Sequence, residues 1–465
     1  MDTRLLGHYE NELNYLRDMG AEFAAAYPKI ASRLGMEGVE VLDPYVERLL
    51  EGVAFLSARV QLELELHYPN FTSHLLEISY PHYLAPTPSM MIARLDPDPS
   101  NSAVKSGYLM PRGSVLRSRL QDGAQTACEL RTAADLTLWP VEITEAQYID
   151  GRGDLVAAGV AAGYEARAGF RLRLERCDGE PLRGLGMDRL QIYLGNAVGN
   201  SWPLLELLCT QVQGIVARST DRRADWQLPL PDGAVVQKGF SRDEALLPVP
   251  ARVFDGYRLL QEFFAMPERF RFVELQGLRP ALQQSTGAEV DLYIPLREGL
   301  REAAPVVLPE VFQINCIPAV NLFEKRCDRV RLTTRDTENQ VIPNRTAGLD
   351  FEIYALKKVI GISGEGADDI EFRPFYSSDD FTAAGETHPA YYTLKRRMRE
   401  RSEKERLRGV RSSYLGSEVY LTLVDRSQAP YGPDLEQLAV QALCTNRDLP
   451  LLLATGNEGL FHLPA

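Results

Sequence analysis

The spacing of apolar residues changes near Pro88, and this change constrains the fold more than any other feature of the chain. Before it, apolar residues recur every three or four positions over 9–30 and 46–60, which is the period of one helix face. Beyond it they alternate with polar residues, as in 170–174 and 190–194, which is typical of half-buried strands. The pattern predicts an α+β protein, with an N-terminal helical bundle segment followed by β-rich sandwich-like domains and an intervening helix.

Prolines divide the helical segment. Pro28 predicts a break in the first helix, because proline lacks an amide donor and clashes with the preceding turn. Asp43 is a suitable N-cap and Pro44 a suitable first residue for a second helix. Pro69 is predicted to end that helix, and a short third helix is predicted over 70–79.

A further apolar stripe predicts the intervening helix within the β-rich region. It covers 255–266, places Tyr257, Leu260 and Phe264 on one face, and ends at Pro267. Few other long helices are predicted between the strands, which favours a sandwich over a parallel βαβ sheet.

The changes of pattern predict four segments. These are a helical assembly segment at 1–88, a first β-rich domain at 89–250, a helical hinge with adjoining strands at 251–300, and a second β-rich domain at 301–465. Within the last segment, 371–413 is a loop candidate that contains the basic run Lys395–Arg406. Mixed Arg and Glu usually form a solvated helix or a disordered loop. A contact with an acidic protein surface is the second interpretation and nucleic acid the third.

Composition narrows the classes of partner and compartment. The net charge of −13 disfavours nucleic acid and anionic membranes. The N-terminal residues have no signal-peptide pattern, and there is no uncharged apolar run of membrane-spanning length, so a cytoplasmic protein is predicted. The six cysteines contain no C-x-x-C pair, and they are interpreted as buried, reduced thiols.

No catalytic motif is complete. The segment 361–365 nearly matches a G-x-S-x-G nucleophile elbow, but its fifth residue is Glu and no clear helix follows it. A solvent-exposed hairpin turn is the favoured interpretation, and a hydrolase built on Ser363 and His388 is the weakest alternative. No phosphate-binding loop is present, and no catalytic, cofactor-binding or metal-binding residue is predicted.

Three histidines of the helical region invite a metal-site interpretation. They are His67, His74 and His82, with prolines at 69 and 81 between them. The prolines interrupt the single helical face that would align the imidazoles, so a structural role is favoured.

Three distant segments together resemble one family. They are DPYVERLLEGVAFL at 43–56, FFAMPERF at 263–270 and CIPAVNLF at 316–323. The combination resembles TssF, a baseplate subunit of bacterial type VI secretion systems, and 80–90 and 443–450 also look like family segments. By this resemblance the family's C-terminal domain is expected to be missing, because family members continue well beyond 446–450.

The resemblance implies a structural function without catalysis or a cofactor. It implies a baseplate wedge in which a pair of TssF chains combines with TssG, TssK trimers attach, TssE links the wedge to the sheath, and several wedges surround the VgrG spike. The expected location is cytoplasmic, in a baseplate docked to the inner-membrane complex. A β-sandwich binding module outside type VI secretion is the alternative.

The apolar stripes of the helical segment are the predicted partner interface. About 80 residues are few for a self-sufficient core, so part of their apolar surface is expected to contact another chain. The candidate interface residues are Tyr9, Leu13, Leu16, Phe23, Val46, Leu49, Val53, Leu56 and Val60.

Overall fold

The computed structural model describes most of the chain. The described residues are 3–35, 43–120, 125–160, 164–196, 201–221, 224, 226–249, 253–299, 307–333, 335–363, 369–375, 390–401, 403–409, 411–425, 435–453 and 461–462. The chain divides into two compact units, Met1–Leu84 and Ala85–Ala465. The finer division into four segments stays a prediction.

Prolines begin three of the helices in the first unit. The helices are α1 (Thr3–Ala26), α2 (Pro28–Arg33), α3 (Pro44–Ser79) and α4 (Pro81–Leu84). The predicted break at Pro28 is confirmed, since α1 ends at Ala26. The predicted cap of α3 is also confirmed, because the Asp43 carboxylate accepts a hydrogen bond from the Tyr45 amide at 2.9 Å.

The predicted end of the second helix at Pro69 is wrong. The helix α3 is continuous over 36 residues, which corresponds to a length of about 54 Å. No separate helix therefore begins at residue 70. A proline inside a helix removes one hydrogen bond, but the turns on both sides of it keep theirs, and the sequence period alone does not reveal that balance.

Helices α1 and α3 form an antiparallel pair. Arg17 lies 3.1 Å from Glu47 near one end, and the His8 Nε2 atom lies 2.7 Å from the Glu65 carboxylate near the other. Small residues of the two helices are buried: Gly20, Ala54 and Ala58. Small side chains allow two helix backbones to approach closely, because no long side chain separates them.

We expect Ala58→Leu to destabilise this helix pair by about 1–3 kcal/mol, because an enlarged side chain has no free volume in a packed contact. Ala58 is fully buried, whereas Ala25 on α1 is exposed. Ala25→Leu is therefore the matched control and is expected to change stability by less than about 0.5 kcal/mol. Thermal unfolding followed by the helical circular dichroism signal measures both. Equal melting shifts for the two variants would contradict the close packing.

The second unit is rich in strands. Its N-terminal strands are β1 (Met90–Arg94), β2 (Tyr108–Met110), β3 (Val115–Ser118), β4 (Glu129–Thr132), β5 (Leu136–Leu138), β6 (Val141–Asp150), β7 (Ala168–Arg176), β8 (Arg189–Leu194), β9 (Val216–Ser219), β10 (Gln227–Pro229), β11 (Val235–Gln237), β12 (Phe272–Gln276) and β13 (Glu289–Leu296). Its C-terminal strands are β14 (Phe312–Ile314), β15 (Cys316–Val320), β16 (Phe323–Arg326), β17 (Val330–Arg331), β18 (Asn339–Val341), β19 (Glu352–Ser363), β20 (Ile370–Pro374), β21 (Ala390–Met398), β22 (Ser417–Asp425), β23 (Leu435–Thr445) and β24 (Phe461–His462). Its helices are α5 (Ser102–Lys105), α6 (Arg152–Ala157), α7 (Trp202–Thr210), α8 (Asp255–Ala265), α9 (Arg279–Gln284) and α10 (Glu403–Arg408).

One core of this unit combines strands of two sheets. The sheet orders are β10-β9-β13-β7-β6 and β11-β12-β8-β14. Leu172 on β7 pairs with Leu292 on β13, and both contribute to the same apolar cluster as Ile192 on β8 and Val273 on β12. The alternation of 170–174 and 190–194 thus places one side of each strand in a shared core, as predicted.

A second core lies within one curled sheet of order β16-β23-β19-β20-β21-β22-β18. Buried side chains from many of its strands form one cluster, among them Val359, Leu421 and Leu438. The long strand β19 shifts register against β23 between Ile353 and Ala355 and again between Leu356 and Lys358. Such bulges bend a strand and increase its twist, which allows the sheet to curl.

Both classes of predicted element are present, so the α+β assignment is confirmed. The alternating segments 290–294 and 419–423 lie in β13 and β22, and the predicted helix over 255–266 is α8. The loop candidate at 371–413 is wrong in part. Its residues 371–374 belong to β20, 390–398 to β21 and 403–408 to α10, whereas 376–389 lie outside the described residues.

The expectation of buried thiols holds for only some of the cysteines. All six are free, and Cys128, Cys316 and Cys444 are buried, but Cys177 and Cys209 are exposed. Burial raises the pKa of the Cys316 thiol to about 12, so this thiol stays protonated at neutral pH.

Candidate interaction surfaces

One side of α3 exposes a row of aliphatic side chains. Leu49, Val53, Leu56 and Val60 follow one another at gaps of four, three and four residues, and each is between 50% and 68% exposed. Leu64 extends the row by one more turn. We call these five residues the α3 stripe. Because the spacing keeps one helix face in register, the stripe can receive the apolar side of another helix.

The other predicted interface residues divide into two groups. Tyr9, Leu13, Leu16 and Val46 are half-buried, whereas Phe23 is exposed. The half-buried side chains are already partly covered by other residues of this chain. The structure thus places the predicted residues on both the inner and the outer sides of the helical unit.

The helix α8 buries its charged face and exposes its apolar face, which is the reverse of an ordinary amphipathic helix. Tyr257, Leu260 and Phe264, which the sequence places on one apolar face, are exposed. Arg258 and Glu262 are instead the buried positions of the helix. Sequence reasoning missed this inversion. The only available signal was an Arg and a Glu at i and i+4 among aromatic residues, a spacing that also occurs on solvated helices.

Glu262 is the centre of a buried ionic network below α8. Its Oε1 atom accepts hydrogen bonds from the amides of Leu246 and Leu247 at 3.1 and 3.0 Å. Its Oε2 atom forms ion pairs with Arg258, at 3.1 Å, and with Arg269. The side chains of Glu262 and both arginines are at most 1% exposed. One carboxylate is therefore shared by two guanidinium groups away from water.

Other groups complete the network. Asp255 accepts two hydrogen bonds from Arg258, at 2.8 and 3.0 Å, and this pairing lowers the pKa of the Asp255 carboxyl. The Arg269 guanidinium donates to the carbonyls of Gly239 and Glu244 at 2.7 and 2.8 Å. Burial lowers the pKa of Arg269, which the charge of Glu262 opposes. The network thus fixes α8, the 3₁₀ helix Pro267–Phe270 and the segment 239–247 to one another.

A second ionic network holds the C-terminal segment after β23. The Asp448 carboxylate is buried and accepts hydrogen bonds from two nitrogen atoms of Arg411, of which Nε lies at 3.2 Å. It also accepts one from the Ser412 hydroxyl at 2.6 Å. Arg411 also donates to Asp350 at 2.7 Å. Burial raises the pKa of Asp448, but the hydrogen bonds from Arg411 and Ser412 outweigh it, so the pKa lies below its ordinary value of 3.8.

We expect Asp448→Asn to lower the free energy of unfolding at neutral pH by about 2–3 kcal/mol, because it breaks a buried ion pair whose other member, Arg411, is partly solvated. The folded-state pKa is lowered, so the ion pair stabilises the protein fully above the unfolded-state pKa and loses this contribution as the pH falls through the folded-state value. The difference between wild type and variant should therefore shrink below about pH 4. Urea unfolding at several pH values measures it. A difference that does not depend on pH would contradict the stabilising ion pair of Asp448 with Arg411. Glu400→Gln, at an exposed carboxylate, is the control.

The basic run is largely paired within the chain. Lys395 and Arg397 both contact Glu338, and Arg399 contacts Glu405 at 2.8 Å. Arg396 donates to the Ile353 and Tyr354 carbonyls at 2.6 and 2.9 Å, where β19 bulges. These four cations therefore have carboxylate or carbonyl partners within the same chain.

The hydrolase alternative gains no geometric support. Residues 361–363 lie in β19 rather than in an exposed hairpin turn, and a Cβ atom at Gly361 would come within 2.7 Å of Leu435 and Phe372. The glycine is thus required by sheet packing. His388 and the positions 364–365 lie outside the described residues.

Neither a metal centre nor a membrane-spanning helix is found where the chain is described. No cluster of three or more His, Cys, Asp or Glu side chains is arranged to hold a metal ion in these residues. Of the three histidines considered above, His82 is buried on α4. No helix in the described ranges has both the length and the apolarity to cross a bilayer.

The family model "Type VI secretion system, TssF" matches residues 1–465. The "Type VI secretion system component TssF1" of Pseudomonas aeruginosa strain PAO1 is 46% identical over 456 residues, which cover 98% of this chain and 73% of that protein. This chain belongs to the TssF family. The resemblance found in the sequence is thereby confirmed.

A solved structure shows the same fold. A chain of the type VI secretion system TssK-TssF-TssG baseplate subcomplex, seen by cryo-electron microscopy, aligns with a TM-score of 0.63 at 23% identity, covering 86% of this chain and 67% of that one. A chain of the baseplate complex from the type VI secretion system covers 99% of this chain and 73% of that one, with a TM-score of 0.48 and 22% identity.

Two of the TssF segments found in the sequence contribute internal supports to the second unit. FFAMPERF spans the end of α8 and the 3₁₀ helix that carries Arg269. CIPAVNLF includes β15 and Asn321, whose side-chain amide donates to Asn446 at 2.8 Å. Arg269 and Asn321 are therefore explained by buried polar networks, in which each member satisfies another.

Proposed function

We propose that this TssF-family chain is a non-catalytic structural subunit of a type VI secretion baseplate. Its task is to hold other subunits through fixed interfaces. Family membership supports the secretion system, and the solved baseplate subcomplex of TssK, TssF and TssG supports the kind of assembly. By the resemblance, the assembly further includes a second TssF copy, TssE and the VgrG spike, in a cytoplasmic baseplate docked to the inner-membrane complex.

The α3 stripe is the proposed contact with TssG. It is the observation that carries the proposal, because aliphatic side chains at least half exposed at helical spacing are costly in water unless another chain covers them. The opposite side of α3 already pairs with α1 through Ala54 and Ala58. An apolar helix of the partner can pack against the exposed side and convert the pair into a bundle.

Phe23 and the half-buried positions have supporting roles in this proposal. The Phe23 and Tyr27 rings are tilted against each other at 5.3 Å between centroids and are both exposed near the end of α1, so they form a second exposed apolar patch on the helical unit. Tyr9, Leu13, Leu16 and Val46 are half-buried, and we assign them to the spacing and angle of α1 and α3.

Co-expression with TssG from the same genome tests the proposed function. The complex is measured by size-exclusion chromatography with light scattering. We expect co-elution, at a mass that fits two copies of this chain with one TssG. Elution of this chain as a separate species, with TssG folded and present, would overturn the proposed role of the α3 stripe.

A further inference from the structure

A cavity of about 310 Å³ lies at one end of the curled sheet in the second unit. Its walls are the end of β18, the segment that joins β18 to β19, the first residues of β19 and β22, and single residues that follow β21 and β23. The sheet is open there, because β20 pairs with β19 only at Val359–Gly361 and leaves the beginning of β19 without hydrogen bonds from β20. Sites for small ligands measure about 300–1,000 Å³. The volume therefore fits a small ligand or a single residue of another chain.

The inner wall of the cavity is apolar. Val341, Ile353 and Val419 line it, each is at most 3% exposed, and all three belong to the buried core of the curled sheet. Leu349, which also lines the cavity, is 39% exposed, so the cavity extends from the core to the surface. An apolar group that enters it leaves water, which is favourable in proportion to the area that is buried.

Arg447 also lines the cavity and has an unusual backbone conformation. Its φ is +53°, in the left-handed region that residues other than glycine rarely adopt. Gly416 provides the space for its side chain, since a Cβ atom at this glycine would come within 2.9 Å of the Arg447 Nε atom. Such backbone strain persists where the surrounding structure enforces it, and it is often found at ligand sites. The fold thus brings one guanidinium group to the cavity.

The Arg447 guanidinium forms no ion pair with a carboxylate that the structure describes. It donates hydrogen bonds to the carbonyls of Leu349, at 3.4 Å, and of Leu415. Its Nε atom is buried and has no hydrogen-bond partner among the described residues. Burial and the charge of Arg399 lower the pKa of Arg447, and the charge of Asp448 opposes them only in part. An anion beside this guanidinium would therefore be stabilised by a charge that is not yet paired.

The other charged groups that line the cavity already have partners. Glu352 accepts hydrogen bonds from the amide and the hydroxyl of Ser417, at 2.6 Å each. Arg399 pairs with Glu405 at 2.8 Å, and its Nε atom lies 4.0 Å from Glu418. These contacts lie within the chain, so they do not require a ligand.

We propose that this cavity binds a carboxylate carried on a small apolar group. The carboxylate pairs with Arg447, because a planar guanidinium matches two carboxylate oxygens, and the apolar group packs against the inner wall. A single negative charge fits better than a phosphate, which carries about 1.5–2 charges at pH 7, because Glu352 and Glu418 line the same cavity. The C-terminal residue of a polypeptide and a free carboxylic acid share this chemistry.

Binding of N-acetyl-leucine to the full chain tests the proposal, with the neutral N-acetyl-leucinamide as the comparison. Saturation-transfer NMR titrations measure both affinities. We expect saturable binding of the acid, and binding of the amide that is at least about tenfold weaker, because the amide lacks the charge that pairs with Arg447. Absence of saturable binding by the acid, or equal affinities of acid and amide, would overturn the proposal.

Arg447→Gln tests the role of the guanidinium. This variant is expected to bind the acid at least about tenfold more weakly and to lose the preference for acid over amide. Arg401→Gln, at an exposed arginine that does not line the cavity, is the matched control and should bind the acid as the wild type does. Wild-type affinity of Arg447→Gln for the acid would contradict the proposed site.

Leu349→Trp is an independent test that keeps the charge in place. Leu349 contacts Arg447 through its backbone carbonyl, so a larger side chain reduces the cavity without removing that hydrogen bond. We expect the acid to bind at least about tenfold more weakly. Leu308→Trp, at a position that is 42% exposed and outside the lining, is the control and should bind as the wild type does. Circular dichroism spectra and thermal melts accompany each variant. Unchanged binding by Leu349→Trp would place the ligand elsewhere and overturn the proposal.

Peptide length distinguishes the two sources of the carboxylate. Acetyl-Gly-Gly-Leu with a free C-terminal carboxylate is compared with N-acetyl-leucine in the same titration. Binding of the peptide at least about tenfold more tightly would support the C-terminal residue of a polypeptide as the ligand, whereas equal or weaker binding would support a free carboxylic acid. These titrations contain no TssG, and the cavity shares no residue with the α3 stripe, so this inference and the proposed function can fail separately.

Discussion

Glu262→Gln is expected to destabilise the second unit by about 3–5 kcal/mol, the cost of leaving buried charges without their partner. The variant keeps one oxygen for the amides of Leu246 and Leu247 but removes the charge that Arg258 and Arg269 share. Neither guanidinium can lose its proton easily, since arginine remains charged in proteins. Arg258 would keep its pair with Asp255, but Arg269 would lose its carboxylate and keep the carbonyl acceptors of Gly239 and Glu244. Urea unfolding followed by tryptophan fluorescence measures the shift.

Glu268→Gln is the matched control for this prediction. Glu268 lies six residues further along the chain, is 43% exposed, and is 3.7 Å from Arg271. Arg271 is buried but keeps its hydrogen bonds to Asn196 and Tyr193. Because the Glu268 carboxylate is itself partly solvated, its pair contributes about 0–1 kcal/mol and this variant should unfold nearly as the wild type does. Similar unfolding midpoints for the two variants would contradict the view that Glu262 is the centre of a buried network. Because unfolding of a chain with two units need not be two-state, the midpoints are compared directly.

Val53→Asp is expected to abolish co-assembly with TssG. In the proposed bundle, its carboxylate would be buried without a partner charge, which costs several kcal/mol and weakens the complex by at least about 100-fold. Val53 is 50% exposed in the chain alone, so the substitution has little effect on the fold of the uncomplexed protein. The measurement is co-elution with TssG, accompanied by a circular dichroism spectrum and a thermal melt of the variant alone.

Gln61→Asp provides the matched control, because Gln61 is an exposed polar residue on the same helix outside the stripe. It adds the same charge to α3 and is expected to leave co-elution intact. Leu16→Asp is also expected to abolish co-assembly, but by destabilising the fold, since Leu16 is half-buried. The melting temperature of this variant should therefore fall. Retention of TssG by Val53→Asp would mean that the α3 stripe is not the contact.

Local sequence signals predicted the elements whose cause is local. The Asp43 cap followed by Pro44 predicted the start of α3, because both act on the first free amides of that helix. Alternating residues predicted β7, β8, β13 and β22, because the side-chain period of a strand is two. The same reasoning was wrong at Pro69, where the hydrogen bonds of a long helix outweigh one missing donor.

The candidate surfaces required more than local signals. Periodicity identified Leu49, Val53 and Tyr9 as one class of apolar residue, but it could not distinguish exposed from half-buried members. That distinction depends on where α1 lies against α3, which follows from the small residues at Ala54 and Ala58. Local signals also could not predict the partners of the basic run, since the pairing of Lys395 and Arg397 with Glu338 joins residues more than 50 positions apart.

The sequence by itself determined the family, the α+β composition, the helix starts and the strand periods, because motifs and periodicity are properties of neighbouring residues. Only the tertiary structure decided which face of α8 is buried. The hydrophobic pattern places Tyr257, Leu260 and Phe264 on one face, and such an apolar face ordinarily packs against a core. The reverse holds because groups from other parts of the chain surround Glu262 and satisfy its charge. These groups are Arg269 and the amides of Leu246 and Leu247, none of which belongs to α8. A charged helix face is stable inside a protein only when such partners converge on it, and their convergence is set by the fold.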